Sequence, residues 1–223
     1  MVFHQFKVCT FFVMLLVAAN TNAVAGFITY NGSAVVEANW QSAAGATSLE
    51  DFQGYSAGTQ ISSLPALGVG FDVLNGGGYP ATYLHHEDNS PYGRMHLGNF
   101  PNGINAINRW DDISLFVLPG YEITALGFWN GDGQRDTLVA SVYDASNNLL
   151  GSVGAFKGTF AGFISDISIA RVVFDGNTGD GWNHLDGLQT NVSSNISVPE
   201  PATLGLFLLG VIGLARCRIK FKG

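Results

Sequence analysis

The stretch Leu138-Val-Ala-Ser-Val-Tyr-Asp-Ala-Ser-Asn-Asn-Leu-Leu-Gly-Ser-Val153 decides the fold class. Leu138–Tyr143 alternates apolar and small residues and ends in an aromatic, the pattern of a strand with one buried face. Leu149–Val153 is a second such run. Asp144–Asn148 between them is built from Asp, Ser and Asn, whose short polar side chains bond their own backbone and favour turns. Strand, tight polar loop and strand make an antiparallel hairpin.

Working outward, the same reading predicts strands at Phe27–Tyr30, Ser48–Phe52, Val69–Leu74, Ile113–Val117 and Ile123–Trp129. Phe160–Ile164, Ala170–Phe174 and Leu185–Val192 follow the hairpin. Turn-forming residues separate them, such as Asn75-Gly-Gly-Gly78 and Leu118-Pro119-Gly120. A short helical piece falls around Val35–Ser42. About ten strands at hairpin spacing predict an all-β, antiparallel β-sandwich of the jelly-roll type. The domain is expected over residues 26–190, and no repeat of fixed period interrupts it.

Composition agrees. Charged residues make up 12% of the 223 positions and there are 29 glycines, which suits short strands and tight turns better than a solvated helical bundle. From Gly26 to Ser197 there are five basic residues against sixteen acidic ones, a net of −11. Such a surface repels phosphate backbones, which excludes nucleic acid as a natural partner, and it is compatible with divalent cations. The two cysteines, Cys9 and Cys217, lie in the end segments, so the middle has no internal disulfide.

The ends carry addresses. Lys7, the apolar run Val8–Ala19 and the small-x-small sequence Ala23-Val24-Ala25 read as a secretory signal peptide over residues 1–25, with cleavage after Ala25 and an alternative after Ala23. Asn191–Val198 reads as a polar linker (191–198). A tail over 199–223 follows: Pro199-Glu200-Pro201, an uncharged run over 202–215, and the basic end Arg216-Cys-Arg-Ile-Lys-Phe-Lys222. The two prolines oppose helix entry before the run. Fourteen helical residues reach roughly 21 Å, short of the ~30 Å hydrocarbon core, and snorkelling Arg and Lys recover part of the deficit. The basic end stays cytoplasmic while the signal peptide sends the domain across. Both ends therefore agree on one topology.

In that order, Val-Pro-Glu-Pro-Ala, apolar run and Arg/Lys cluster, the tail resembles the PEP-CTERM sorting signal of Gram-negative bacteria. The resemblance implies that an exosortase, a membrane processing enzyme, recognises Pro199, Glu200 and Pro201 and removes the tail. The C-terminal helix is then a temporary membrane anchor, and the mature protein goes to the cell surface or the extracellular polysaccharide matrix. The middle resembles, more loosely, a β-sandwich module frequent in such proteins, through Leu49-Glu-Asp-Phe52, Gly68-Val-Gly-Phe71, Ile123-Thr-Ala-Leu-Gly-Phe128, Val142-Tyr-Asp144 and Leu185-Asp186. That module is similar to carbohydrate-binding jelly rolls.

Jelly rolls of this kind often bridge their first and last strands with a structural Ca²⁺. Glu50 and Asp186, with Asp51 beside them, offer the hard oxygens such an ion takes. The same residues also read as solvated strand-end carboxylates. Asn130-Gly-Asp132-Gly-Gln-Arg-Asp136 and Asp175-Gly-Asn177-Thr-Gly-Asp180 lack the EF-hand glutamate and read as turns. His85-His86-Glu87-Asp88, with His96, reads as a solvated loop, since adjacent side chains on a strand point to opposite faces. Of Trp40, Trp110, Trp129 and Trp182, Trp129 and Trp182 stand beside amides and carboxylates in the manner of sugar-stacking platforms, although core packing is the commoner use of tryptophan. There is no Gly-x-Ser-x-Gly elbow, His-Glu-x-x-His, P-loop or dinucleotide fingerprint. The expectation is a non-enzymatic, exosortase-sorted surface protein associated with exopolysaccharide or biofilm. The alternatives are a carbohydrate-binding module for surface polysaccharide and a polysaccharide-active hydrolase.

Overall fold

A computed structural model describes residues 26–74, 77–84, 90–99, 112–131, 137–176 and 183–194. Among the described residues fifteen strands run in order: β1 Phe27–Gly32, β2 Ser48–Glu50, β3 Ser63–Leu64, β4 Val69–Phe71, β5 Ala81–Leu84, β6 Met95–Gly98, β7 Ile113–Val117, β8 Tyr121–Glu122, β9 Ala125–Asn130, β10 Leu138–Tyr143, β11 Leu149–Ala155, β12 Phe160–Ser165, β13 Arg171–Gly176, β14 His184–Thr190 and β15 Ser193–Ser194. An α-helix, α1, spans Ala34–Ala44, where the sequence predicts a helix around Val35–Ser42.

The hairpin that opened the reading is present. β10 and β11 pair antiparallel, and Asp144 organises their loop by accepting from the Ser146 and Asn148 amides at 2.9 and 2.8 Å. Those bonds hold the Asp144 carboxyl below the usual carboxylate range, the Asn148 side-chain bond contributing most.

The strands form an antiparallel β-sandwich. One sheet has the order β1-β12-β9-β14-β6-β5, with β2 also on β14; the other has the order β11-β10-β13-β7-β4-β3. The chain changes sheet at β9–β10, β11–β12, β12–β13 and β13–β14, the alternation of a jelly roll. Alternate side chains of both sheets meet between them: Leu126, Phe128, Phe163, Leu185 and Leu188 from the first, Leu115, Val142, Val172 and Phe174 from the second. Phe128 and Phe174 meet edge-to-face with ring centroids 5.1 Å apart. Each such side chain stabilises the fold by roughly 1.5–3 kcal/mol relative to exposure.

The first sheet also has a covered outer face. Ala125, Trp129 and Phe160 point away from the sandwich core and pack against Trp40 of α1. Helical spacing puts Glu37, Trp40, Gln41 and Ala44 on one side of α1, so an eleven-residue helix can cover the sheet. Among the described residues no helix is long and apolar enough to cross a membrane. The signal segment 1–25 and the tail 199–223, with its expected membrane helix over 202–215, lie outside the described residues.

The fold runs past the expected boundary at 190. Asn191 Oδ1 accepts from the Thr124 and Ala125 amides at 3.0 and 2.7 Å, and Ser193 and Ser194 pair with Glu122 and Tyr121. Residues 191–194 of the expected linker therefore belong to the folded body.

Candidate functional site

The site is built around a break in the first sheet. At one edge β14 pairs with two different strands in turn: His184 and Leu185 pair with Gly98 and Leu97 of β6, whereas Leu188–Thr190 pair with Glu50–Ser48 of β2. Asp186 and Gly187 fall where one partner ends and the other begins. On the opposite edge the register with β9 shifts between Asp186 and Gln189, a β-bulge. Gly187 has φ +51°, and a Cβ there would collide with the Tyr92 ring, so the bulge needs glycine both for its conformation and for its space.

Asp186 is fully buried in this gap. Its Oδ1 accepts from the Gly187 amide at 2.7 Å. Its Oδ2 accepts no hydrogen bond among the described residues and lies 3.7 Å from His96 Nε2. Burial pushes the carboxyl up to about 7, and the charges of Asp51 and Glu50 add to the rise, while the Ser90 hydroxyl and the Gly187 amide oppose it. The ring of His96 is fully buried and rests on Gly131. His96 Nε2 also lies 3.2 Å from the Gly93 carbonyl. Tyr83 and His184 meet edge-on with centroids 5.0 Å apart, and His96 stands 6.5 Å from His184.

A second buried carboxylate lies alongside. Glu37, projecting from α1, accepts from the Tyr92 hydroxyl at 2.5 Å and from Gln189 Nε2. Gln189 Oε1 in turn accepts from Gln41 Nε2 at 2.7 Å. The Tyr92 hydroxyl is pushed well above its ordinary range, chiefly by burial and then by its bond to Glu37 and the nearby charges. Helix, loop and last long strand are thus joined by one polar cluster beside the break.

The structure brings the expected pair Glu50 and Asp186 onto adjacent strands. The side chains are engaged differently: Glu50 Oε1 accepts from the Phe52 amide at 2.8 Å, and Asp51 Oδ1 accepts from the Gln53 amide at 3.0 Å. Phe52 takes φ 59° in that turn, which ends the predicted strand Ser48–Phe52 at Glu50 and sends its ring into the core. Among the described residues no group of three or more His, Cys, Asp or Glu side chains is placed to hold a metal ion.

Two readings are corrected. Trp129 is 5% exposed and packs against Phe160, so it offers no face to a sugar. His96 is a strand residue of β6 and fully buried, rather than part of a solvated loop. Trp182, Ala25, Pro199, Glu200 and Pro201 lie outside the described residues, as do His85–Asp88 and Trp110. Sequence reasoning missed the Glu37–Tyr92–Gln189 cluster, whose members come from three distant segments with no motif among them.

These features define an antiparallel β-sandwich with one helix-covered face. Residues 197–219 match the PEP-CTERM protein-sorting motif, so the chain carries the signal of an exosortase substrate, marked for export and sorting to the cell surface. No curated protein matches the chain. Among solved structures it is similar over 66% of its length, at 15% identity, to an arabinose-bound α-L-arabinofuranosidase (TM-score 0.35, 26% of that chain). It is similar over the same share and at the same identity to the isomalto-dextranase of Arthrobacter globiformis T6 complexed with panose (TM-score 0.29, 32% of that chain). Bacteriophage CBA120 tailspike protein 4 also matches over 66% of this chain, at 15% identity (TM-score 0.19, 18% of that chain). The chain therefore spans a third or less of each, and scores this low carry no argument about activity.

Proposed function

We propose that this protein is a non-enzymatic component of the cell surface or its exopolysaccharide matrix, delivered by exosortase processing of its tail. The observation that carries this reading is the matched motif over residues 197–219, which begins shortly after the last described residue, Ser194, itself paired with Tyr121. Four residues, 195–198, separate Ser194 from Pro199. Hydrogen bonds among Glu37, Tyr92, Gln189 and Gln41 join α1, the 90–99 segment and β14, an arrangement compatible with a structural role.

The test uses mature protein recovered from its host and the host's own exopolysaccharide. It should fractionate with the polysaccharide and release no reducing ends. Saturable binding lost in Trp182→Ala would favour the carbohydrate-binding module instead. Released reducing ends, abolished by neutralising one carboxylate, would establish the hydrolase and overturn the proposal.

A further inference from the structure

Gly26 and Asp166 hold each other by two hydrogen bonds. The Gly26 N–H donates to Asp166 Oδ2 at 2.9 Å, and the Asp166 N–H donates to the Gly26 carbonyl at 3.0 Å. They extend the β1–β12 ladder by one step beyond Phe27↔Ser165. The carboxylate lies so close over Gly26 that a Cβ there would sit 2.9 Å from Oδ2. A glycine nitrogen is thus held against a carboxylate at the outer strand of the sheet.

Directly before Gly26 stands Ala23-Val24-Ala25, the small-x-small pattern of signal-peptide cleavage. In the precursor the Gly26 nitrogen is an amide with one neutral donor. Hydrolysis of the Ala25–Gly26 bond consumes one water. Its oxygen joins the Ala25 carbonyl carbon, which leaves as a carboxylate, and its protons leave the Gly26 nitrogen as an ammonium. An α-amino group has an ordinary pKa of about 7.7–8.0, so it is mostly charged at neutral pH.

We propose that Asp166 is the receptor for the new N-terminus: cleavage after Ala25 converts the existing amide hydrogen bond into an ion pair and clamps the edge strand β1 onto β12. The inference rests on the export reading. It selects cleavage after Ala25 over cleavage after Ala23, because Val24 and Ala25 would otherwise keep the ammonium two residues from the carboxylate. An edge strand paired on one side is the first to fray, so a charge-assisted bond at its open end is well placed.

The experiment expresses the full chain in an exporting host and reads the mature start by intact mass. Three variants accompany it: Asp166→Asn, a serine inserted between Ala25 and Gly26, and the two combined. The native protein should begin at Gly26. Asp166→Asn should lower its thermal midpoint by about 1–4 °C, the range for one exposed pair in a domain of this size. In the serine-inserted background the same change should cost half as much or less. Equal cost in both backgrounds, or a mature start at Val24, overturns the proposal. A chain that keeps Met1 overturns the export reading along with it. The native protein alone gives a second readout: its α-amine should react with an acylating reagent several-fold more slowly folded than unfolded, and equal rates would contradict the ion pair.

Discussion

Gly127 and Gly162 lie opposite each other on β9 and β12, and the indole of Trp40 rests over both. A Cβ at Gly127 would lie 2.7 Å from the Phe160 ring and 3.1 Å from Trp40 Cη2; one at Gly162 would lie 2.8 and 2.9 Å from the same two side chains. The paired glycines leave a slot that the helix fills with its one tryptophan. Trp40 is fully buried, and its Nε1 donates to the Phe163 carbonyl at 3.2 Å.

Gly162→Ala should therefore destabilise by about 1–3 kcal/mol through overpacking, and Trp40→Ala by about 3–5 kcal/mol through the cavity it leaves. Combined, they should cost less than the sum, because the added methyl occupies part of that cavity. Denaturant midpoints measure all three. Additive costs would show that the slot and the indole are not coupled.

Glu37 is buried and serves as acceptor for both Tyr92 and Gln189. Glu37→Ala removes that acceptor from the buried Gln189 amide and the half-buried Tyr92 hydroxyl, a loss of about 1–3 kcal/mol for the buried group left unpaired. Glu37→Gln keeps the shape and an oxygen, and should recover much of the loss. Amide exchange should report the damage first in α1, since one of its polar links to β14 is cut and only the Gln41–Gln189 bond remains.

Asp186 makes stability depend on pH with a defined sign. The groups facing it include Glu50, Asp51, Ser90, Tyr92, His96 and the Gly187 amide. Its carboxyl sits near 7 folded against about 3.9 unfolded, so between those values the folded state holds a proton that the unfolded state has released. Its contribution to stability is therefore present below about pH 4, declines as pH rises towards 7, and stays lost above. In chelator, Asp186→Asn should raise the thermal midpoint at pH 8 by several degrees, and the gain should vanish near pH 4. A gain independent of pH would mean that Asp186 does not titrate in this range.

The Ca²⁺ expected from the sequence at Glu50 and Asp186 has its own test. If an ion is held there, the native protein should melt higher in calcium than in chelator, and Asp186→Asn should erase the difference. Equal midpoints would rule that expectation out.

The strands that alternate cleanly were legible. Ile113–Val117 and Leu138–Tyr143 have the bounds their patterns predict, because each buries one face against the other sheet. β5 and β6 were missed because they lie among Tyr, Pro, Gly and Asn residues that favour loops, and tertiary pairing overrode that preference. The placement of Glu50 and Asp186 on neighbouring strands followed from the resemblance to jelly rolls rather than from any local pattern. The gap that buries Asp186 was not legible, since it depends on β14 changing partners midway, which no local pattern encodes. Trp129 misled because its neighbour Asn130 suggested a polar rim, while the pleat turns the ring under α1.

The sorting claim is tested most directly by the intact mass of the protein recovered from the surface or medium of its own host, with and without exosortase. With exosortase present, the mature chain should begin at Gly26 and lack the basic end Arg216–Lys222. With exosortase deleted, or with Pro199, Glu200 and Pro201 replaced by alanine, the chain should retain Gly223 and stay membrane-bound. A surface-located chain that keeps Gly223 in the presence of exosortase would contradict the sorting claim.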